Sequence, residues 1–245
     1  MSTKLKLISL NIEMDKHLAR VLPFLEREQP DVLCLQEVSE FDFPRLQEAL
    51  KMEGEFAPML RITAARPGRT LGEGTVGLAF FSRFKAEFFH QQYSGESGVV
   101  PNERDDNQGA LGILLGGIFS TTGKAWTVAT THFTWTPDGE ASDAQRADIK
   151  RLFSTLESFP EIAFCGDFNA PRGREMWGKL AERYRDNIPG EYVSSIDPLL
   201  HRAEGLEVMV DGLFTTPGYR TFDVKLVEGV SDHKAVVGYL ERIDS

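Results

Sequence analysis

The sequence predicts an α/β fold in which two β-sheets pack against each other and helices flank them. Two observations predict it. Short apolar runs typical of strands recur along the whole chain, and segments with helical spacing of apolar residues lie between them. Interspersed helices and strands favour layered architectures, and 245 residues suit a single α/β domain. We therefore expect one domain over residues 1–245.

The elements follow in order along the chain. The first strand ends near Asn11, and a helix with apolar residues at helical spacing from Leu18 to Leu25 follows it. Pro23 fits this helix only in its first turn or at a kink. The later elements are predicted as a strand ending at Glu37, a helix over 43–52, a loop or irregular hairpin over 59–75, strands over 76–82, 85–93, 110–119 and 124–131, a helix over 142–156, a strand ending at Asp167, a helix near 175–183 and a run of C-terminal strands.

The overall charge restricts the classes of function. A formal net charge of −10 disfavours a general nucleic-acid-coating protein, because such proteins bind by neutralising phosphates with Lys and Arg. It leaves a nuclease open, since the field in a cleft can differ from the global field. The basic side chains that either contact a phosphate backbone or are simply solvated are Arg61, Arg66, Arg69, Arg172, Arg174, Lys179, Arg183 and Arg185.

The cysteines and the apolar runs indicate a cytoplasmic location. Cys34 and Cys165 both lie in apolar strand runs, which predicts buried, reduced thiols in preference to a disulfide or a metal site. The N-terminus lacks the apolar core of a signal peptide, and no apolar run is long enough to span a bilayer. We therefore expect a cytoplasmic protein with no transmembrane segment.

Polar side chains stand at the end of a predicted buried strand in the segment 165–170 (Cys-Gly-Asp-Phe-Asn-Ala). Residues two apart in a strand face the same side, so the carboxylate of Asp167 and the carboxamide of Asn169 lie together. The carboxylate supplies acceptor oxygens, and the carboxamide supplies both a donor and an acceptor. The pair suits a phosphate ester held beside a hard divalent cation.

Other strand ends carry groups of matching chemistry. The first strand ends in the amide of Asn11, the second in the carboxylate of Glu37, and a later strand in the imidazole of His132. The pair Asp232-His233 precedes the apolar run 235–237. Several strand ends therefore carry acids, amides and imidazoles, the groups that hydrolysis of a phosphate ester at neutral pH requires.

Taken together, these motifs resemble the endonuclease/exonuclease/phosphatase family, the metal-dependent fold of deoxyribonuclease I, exonuclease III and neutral sphingomyelinase. The resemblance spans nearly the whole chain, and the motifs come in the family's order. They are Ser9-Leu10-Asn11, Leu35-Gln36-Glu37-Val38, Thr131-His132-Phe133, Gly166-Asp167-Phe168-Asn169, Asp211-Gly212-Leu213-Phe214 and Ser231-Asp232-His233. The resemblance implies a four-layer α/β/β/α sandwich with the site at one end of the strands.

His132 distinguishes between branches of that family. This chain resembles the deoxyribonuclease, sphingomyelinase and tyrosyl-DNA phosphodiesterase type, which carries a His at this position. The exonuclease III type carries a Tyr there. In deoxyribonuclease I a Glu supports this His. The corresponding Glu73 is displaced from the family spacing, so support of His132 by Glu73 stays open.

Three residues are candidate ligands of Mg²⁺ or Mn²⁺. Glu37 is a carboxylate after an apolar strand, and Mg²⁺ prefers one or two carboxylates together with waters and substrate oxygens. The resemblance implies that Asp232 binds or orients the same ion, and Asn11 fits phosphate and metal-water contacts. Mg²⁺ and Mn²⁺ accept the same oxygen ligands, so the choice between them stays open.

Five residues are candidates for the catalytic chemistry. His233 titrates near neutrality, so it can donate to a phosphate oxygen or accept a proton. Asp211 lies within an apolar run, where an unpaired charge is costly, and the resemblance implies that it pairs with His233. Asp167 fits orientation of the attacking water, Asn169 fits phosphate contacts, and His132 stabilises developing charge.

These residues predict a metal-dependent hydrolase that acts on a phosphodiester by attack of an activated water. We favour a nuclease-like enzyme with DNA or RNA as a candidate substrate, while a lipid head group or inositol phosphate is the alternative. An inactive binding or scaffold protein is the alternative from another class, and the complete residue set argues against it. Phe133 and Trp135 either stack on a base or pack their loop. Substrate selectivity is expected in the segments 61–75, 94–107, 133–139 and 172–185.

Overall fold

The computed structural model describes residues 4–63, 73–103 and 109–243. Its strands are β1 (Lys4–Asn11), β2 (Val32–Ser39), β3 (Glu53–Ile62), β4 (Gly74–Ser82), β5 (Ala86–Ser94), β6 (Gly112–Thr121), β7 (Lys124–His132), β8 (Ala163–Asp167), β9 (Arg185–Asp186), β10 (Asp211–Thr215), β11 (Tyr219–Val227) and β12 (Ala235–Arg242). Its helices are α1 (Leu18–Glu28), α2 (Phe43–Leu50), α3 (Asp143–Leu156) and α4 (Glu175–Arg183).

Two mixed six-stranded sheets form the centre of the molecule. The first has the order β11-β12-β1-β2-β4-β3 and the second β5-β6-β7-β8-β10-β9. Each sheet contains one parallel pair, β1 with β2 and β7 with β8, and each of these pairs is joined through a helix. Parallel strands joined in this way end at the same edge of their sheet, which gathers the residues at their carboxyl ends.

The alternation of side chains along the strands assigns four layers. In β2, Val32 and Cys34 join the core between the sheets, whereas Leu33 and Leu35 join the core beneath α1 and α2. Apolar side chains of α3 and α4 pack against the outer side of the second sheet. The predicted α/β/β/α sandwich is therefore confirmed.

Short-range sequence signals set several element boundaries as predicted. Ser142 precedes α3, and its hydroxyl accepts a hydrogen bond from the Gln145 backbone N at 3.1 Å, which caps the helix. Thr122 and Gly123 both adopt positive φ between β6 and β7. Two such residues make the turn whose twist matches a two-residue hairpin.

Of the loop or irregular hairpin predicted over 59–75, the hairpin alternative is confirmed, because β3 pairs antiparallel with β4 up to Ile62 opposite Gly74. The part of β3 over 53–58 was not predicted as a strand, and β3 is the edge strand of the first sheet. An edge strand tolerates Pro58, which obscured the strand pattern. Pro23 lies past the first turn of α1, where the buried face of Val21 and Leu25 holds the helix against the first sheet.

The two cysteines are free and buried in the core between the sheets. Burial and the neighbouring Cys165 raise the pKa of the Cys34 thiol well above its usual value, so it stays protonated. Within residues 4–63, 73–103 and 109–243, no helix is both long and apolar enough to cross a bilayer.

Candidate active site

Three neighbouring strands of the second sheet place an imidazole and two acids in one row. β7 ends at His132, β8 ends at Asp167 and β10 begins at Asp211. The strand pairing sets His132 opposite Asp167 and Asp167 opposite Asp211. Paired residues on adjacent strands lie about 5 Å apart, so their side chains interact on one face.

The first sheet supplies Asn11 and Glu37 across from this row. Glu37 lies where the pairing of β2 with β4 shifts between Leu35 and Val38, and its φ is 55°. Such a bulge redirects a side chain. The carboxylate of Glu37 accepts a hydrogen bond from Asn11 Nδ2 at 3.1 Å.

Asn11 joins the two sheets at the site. Its Nδ2 also donates to Asp167 Oδ2 at 3.2 Å, and its Oδ1 accepts from the Glu13 backbone N at 3.1 Å. Asn11 and Asp167 are both buried. The amide of Asn11 therefore fixes the position of Glu37, the predicted metal ligand, relative to Asp167, which is predicted to orient the water.

His233 and Asp211 form a buried ion pair, with 2.7 Å between His233 Nδ1 and Asp211 Oδ2. Burial lowers the pKa of His233, but the carboxylates of Asp211 and Asp167 outweigh it and raise that pKa well above its usual value. Burial raises the pKa of Asp211, and the charge of His233 opposes that rise. The pair therefore holds an oriented imidazole that favours its protonated form.

Asp167 lies at the centre of the cluster. Its Oδ1 accepts from the Asn169 backbone N at 2.8 Å, which fixes the carboxylate. Its Oδ2 lies 3.5 Å from His132 Nε2 and 3.8 Å from His233 Nε2. Two imidazoles thus converge on one carboxylate oxygen from opposite sides of the row.

Asn169 follows this strand in a left-handed conformation with φ 48°. Its Nδ2 donates to the Phe133 carbonyl at 2.9 Å. One amide hydrogen of Asn169 therefore holds the segment after His132 in place, while the phosphate contact predicted for Asn169 stays a prediction.

A second group of side chains that could bind a metal lies next to the cluster around Asp167, and two of its residues were missed by the sequence analysis. Side-chain atoms of Glu13, His17 and Asp232 that could bind a metal lie within 4.8 Å of one another, and His17 Nε2 is 3.1 Å from Glu13 Oε2. The signal was spacing: Glu13 lies two residues after Asn11, and His17 lies four residues further on.

The charges around Asp232 test whether this place suits a divalent cation. Burial raises the pKa of Asp232 to about 7, the charge of His233 opposes the rise, and the carboxylates of Glu13 and Glu37 add to it. A bound cation would offset the electrostatic repulsion among these carboxylates. Because the donors are carboxylate and amide oxygens, the residues fit Mg²⁺ or Mn²⁺.

Some predicted contacts lie away from this centre. Glu73 lines a groove of about 290 Å³ with Arg61 and Phe41 at the edge of the first sheet. Within the described part of the chain, no hydrogen bond or ion pair joins Glu73 to His132. Phe133 is only 2% exposed, so it packs its loop and cannot stack on a base, whereas Trp135 is 37% exposed.

The basic side chains after β8 do not form a free cationic patch. Arg172 binds the carboxylate of Asp186, with 2.8 Å between Nη2 and Oδ2, and further donates to backbone carbonyls. Three others, Arg174, Lys179 and Arg183, pair with Glu140, Glu175 and Glu157 respectively. Arg185 is exposed, and Arg66 and Arg69 lie outside the described residues.

Comparison with known proteins places this geometry in context. The sequence profile of the Endonuclease/Exonuclease/phosphatase family matches residues 8–233. Protein angel homolog 2 of Bos taurus is 26% identical over 172 residues, which cover 66% of this chain and 30% of that protein. The chain thus spans about a third of the length of this curated relative.

Solved structures share the fold over nearly the full chain. An endonuclease/exonuclease/phosphatase of Bacteroides vulgatus has a TM-score of 0.72 at 18% identity, covering 99% of this chain and 100% of its own. The human Nocturnin catalytic domain with bound sulfate has 0.72 at 17%, covering 98% and 94%. ANGEL2, a 2′,3′-cyclic phosphatase in complex with adenosine-2′,3′-vanadate, has 0.70 at 13%, covering 97% and 95%.

Proposed function

The chain belongs to the Endonuclease/Exonuclease/phosphatase family, and from this premise we propose that it is a Mg²⁺- or Mn²⁺-dependent phosphoesterase. We further propose that its substrate is a phosphodiester and that its action is nuclease-like. One observation carries the proposal: Asn11, His132 and His233 all converge on Oδ2 of Asp167. A hydrolytic site needs such a fixed carboxylate beside phosphate-binding donors.

Asp167 orients the attacking water. The Asn169 backbone N holds its Oδ1 at 2.8 Å, and the carboxylate fixed in this way accepts a hydrogen bond from the water and aims it at phosphorus. Asn11 donates to Oδ2, so both oxygens are anchored and the carboxylate cannot turn away. Holding the water in this position lowers the entropy cost of bringing water and ester together in the transition state.

His233 and His132 bind the phosphate oxygens. His233 uses Nδ1 for Asp211, which leaves Nε2–H to donate to an oxygen that gains charge as the water attacks. His132 presents its Nε2 from the other side of Asp167. An ion held by Glu37, Asp232 and Asn11, with Glu13 beside them, would supply further positive charge to a phosphate oxygen.

The donor set favours a diester over a monoester. Two imidazoles and, when bound, one cation would face the phosphate, without a free Arg cluster among the described residues to neutralise the second charge of a monoester. Nucleic acid is the leading candidate, although the net charge of −10 and the paired basic side chains after β8 give DNA or RNA little non-specific attraction.

A second candidate substrate is a nucleoside 2′,3′-cyclic phosphate. It is favoured by the 26% identity to Protein angel homolog 2 and by the shared fold with ANGEL2, described as a 2′,3′-cyclic phosphatase. A cyclic phosphate is a diester, so the same water attack would open its ring. A lipid head group or an inositol phosphate stays an alternative within the same chemistry.

A substrate panel with matched variants tests the proposal. The panel holds single- and double-stranded DNA, RNA, a tyrosyl-phosphodiester, a nucleoside 2′,3′-cyclic phosphate, a sphingomyelin analogue and an inositol phosphate, each with Mg²⁺, Mn²⁺ or a chelator. We expect metal-dependent cleavage of one class, reduced at least 100-fold in Asp167→Ala and in Glu37→Gln. Calorimetric titration should show Mn²⁺ binding that Glu37→Gln weakens. Folded protein that neither binds the ion nor cleaves any substrate would instead support the scaffold alternative.

A further inference from the structure

His201 lies beside the His233–Asp211 pair, on a segment that carries no family motif. The ring of His201 stands across the ring of His233, with 6.4 Å between centroids and 72° between planes. The charge of the Glu13 carboxylate weakly opposes the lowering of the His201 pKa that burial causes. His201 therefore lies beside His233, the residue that the site pairs with Asp211.

A buried carboxylate holds the turn that carries His201. Asp197 is 2% exposed. Its Oδ1 accepts from the backbone N of Leu199 and Leu200 at 2.9 and 3.0 Å, and its Oδ2 accepts from Gly229 N at 2.7 Å. The carboxylate thus shapes the turn and ties it to the segment that leads into Asp232.

Backbone contacts fix the same segment directly to the catalytic residues. The backbone N of Asp197 donates to the Asp232 carbonyl at 2.8 Å, and Ile196 bridges to His233. The backbone N of His201 in turn donates to the Asp197 carbonyl at 3.2 Å. The position of His201 relative to His233 is therefore set by the fold, in contrast to that of a freely moving surface side chain.

The ring of His201 is prepared as a hydrogen-bond donor. The Ala203 backbone N lies 3.1 Å from Nδ1 and the Ala203 carbonyl 3.5 Å, so the shorter contact favours Nδ1 as acceptor and places the proton of the neutral ring on Nε2. Nε2 has no hydrogen-bond partner among the residues that the structure describes. Partial burial lowers the pKa of His201, in keeping with a neutral ring.

We propose that His201 is a substrate-binding residue whose Nε2–H donates to an oxygen of the bound phosphodiester beside His233. This rests on the proposed function. A neutral donor suits this place, because a protonated His233 and a cation already supply positive charge, and another cationic side chain would repel both. Asp197 is the positioning residue that presents His201.

The test compares His201→Ala, His201→Gln and His90→Ala. His90 is an exposed histidine on the edge strand β5, so it controls for loss of an imidazole far from the site. Loss of one hydrogen bond to a charged oxygen should lower kcat/KM roughly 10- to 100-fold in His201→Ala. Gln retains an N–H donor and should recover part of the loss, while His90→Ala should match the wild type.

A binding measurement separates this inference from the proposed function. Inorganic phosphate is titrated into each protein with Mg²⁺ present, and His201→Ala should weaken its affinity several-fold while His201→Gln weakens it less. A wild type that binds phosphate but cleaves nothing would contradict the proposed function and leave the role of His201 to be decided by affinity. His201→Ala with unchanged affinity and unchanged kcat/KM, or a wild type that binds no phosphate, would overturn the inference.

Discussion

Replacing Asp211 by Asn removes a charge at the site and preserves the shape of the side chain. Asp211 is 2% exposed and lies 2.7 Å from His233 Nδ1. The amide of Asn can still contact the ring, but it cannot stabilise a protonated imidazole. We therefore expect His233 to lose its preference for the charged form.

The magnitude follows from the bond that is lost. A hydrogen bond to a charged group contributes about 1.5–3 kcal/mol. Since roughly 1.4 kcal/mol corresponds to a factor of ten, kcat should fall roughly 10- to 150-fold. KM should change little, because the contact between His233 and the phosphate strengthens as charge develops in the transition state.

The assay is steady-state hydrolysis of the best panel substrate by Asp211→Asn and by Asp31→Asn. Asp31 offers a matched control, since its carboxylate accepts from the Lys6 backbone N at 2.8 Å just before β2, at the end of the first sheet opposite to Glu37. Circular dichroism and thermal melting verify that both variants fold. A folded Asp211→Asn variant with kcat within threefold of the wild type would refute the role given to the pair.

Two further predictions concern stability. Gly166 has φ +141° and a Cβ there would collide with the Thr131 carbonyl, so Gly166→Ala should lower the free energy of unfolding by about 3 kcal/mol. In α4, a Cβ at Gly178 would meet nothing within 4 Å, so Gly178→Ala should raise that free energy by about 0.5–1 kcal/mol. Equal effects of the two substitutions in denaturant titrations would contradict this prediction. Burial raises the pKa of Tyr219 to about 12, so its stabilising contribution is complete below the unfolded pKa of about 10 and decreases up to pH 12 by at most about 1.4 kcal/mol per pH unit. Tyr219→Phe should flatten that decline in unfolding measured across this range, and an unchanged slope would assign the effect to other groups.

Much of the fold was predictable because local signals and the family order agreed. The runs before Asn11, Glu37 and Asp167 became central strands, since a buried strand needs a continuous apolar run. The edge strand β3 was missed over 53–58 because most of its residues are exposed or only partly buried and Pro58 interrupts its pattern. The alternation of apolar and polar residues reflects burial, so it predicts a strand least well where few of the strand's residues are buried.

The site was predictable in its membership more than in its geometry. The sequence named Asn11 and Asp167 but could not show that one amide joins them, because that contact exists only once the sheets pack. Phe133 illustrates the same limit: its neighbour His132 faces the site, yet Phe133 is buried against Tyr93. His201 belongs to no motif, and only the turn around a buried carboxylate brings it to His233.

Backbone conformation explains why geometry could not be deduced from residue patterns. Glu13, Met14, Glu37 and Asn169 all adopt left-handed φ between 46° and 59°, a region that costs non-glycine residues about 1–3 kcal/mol when the surroundings do not enforce it. Glu13 and Glu37 contribute side chains to the site, and Asn169 contributes the backbone N that holds Asp167. A regular strand would send the residue after Gln36 to the opposite face, whereas the bulge turns Glu37 toward Asn11. The packed sheets therefore hold local conformations that the sequence disfavours, and those conformations are what bring the carboxylates together.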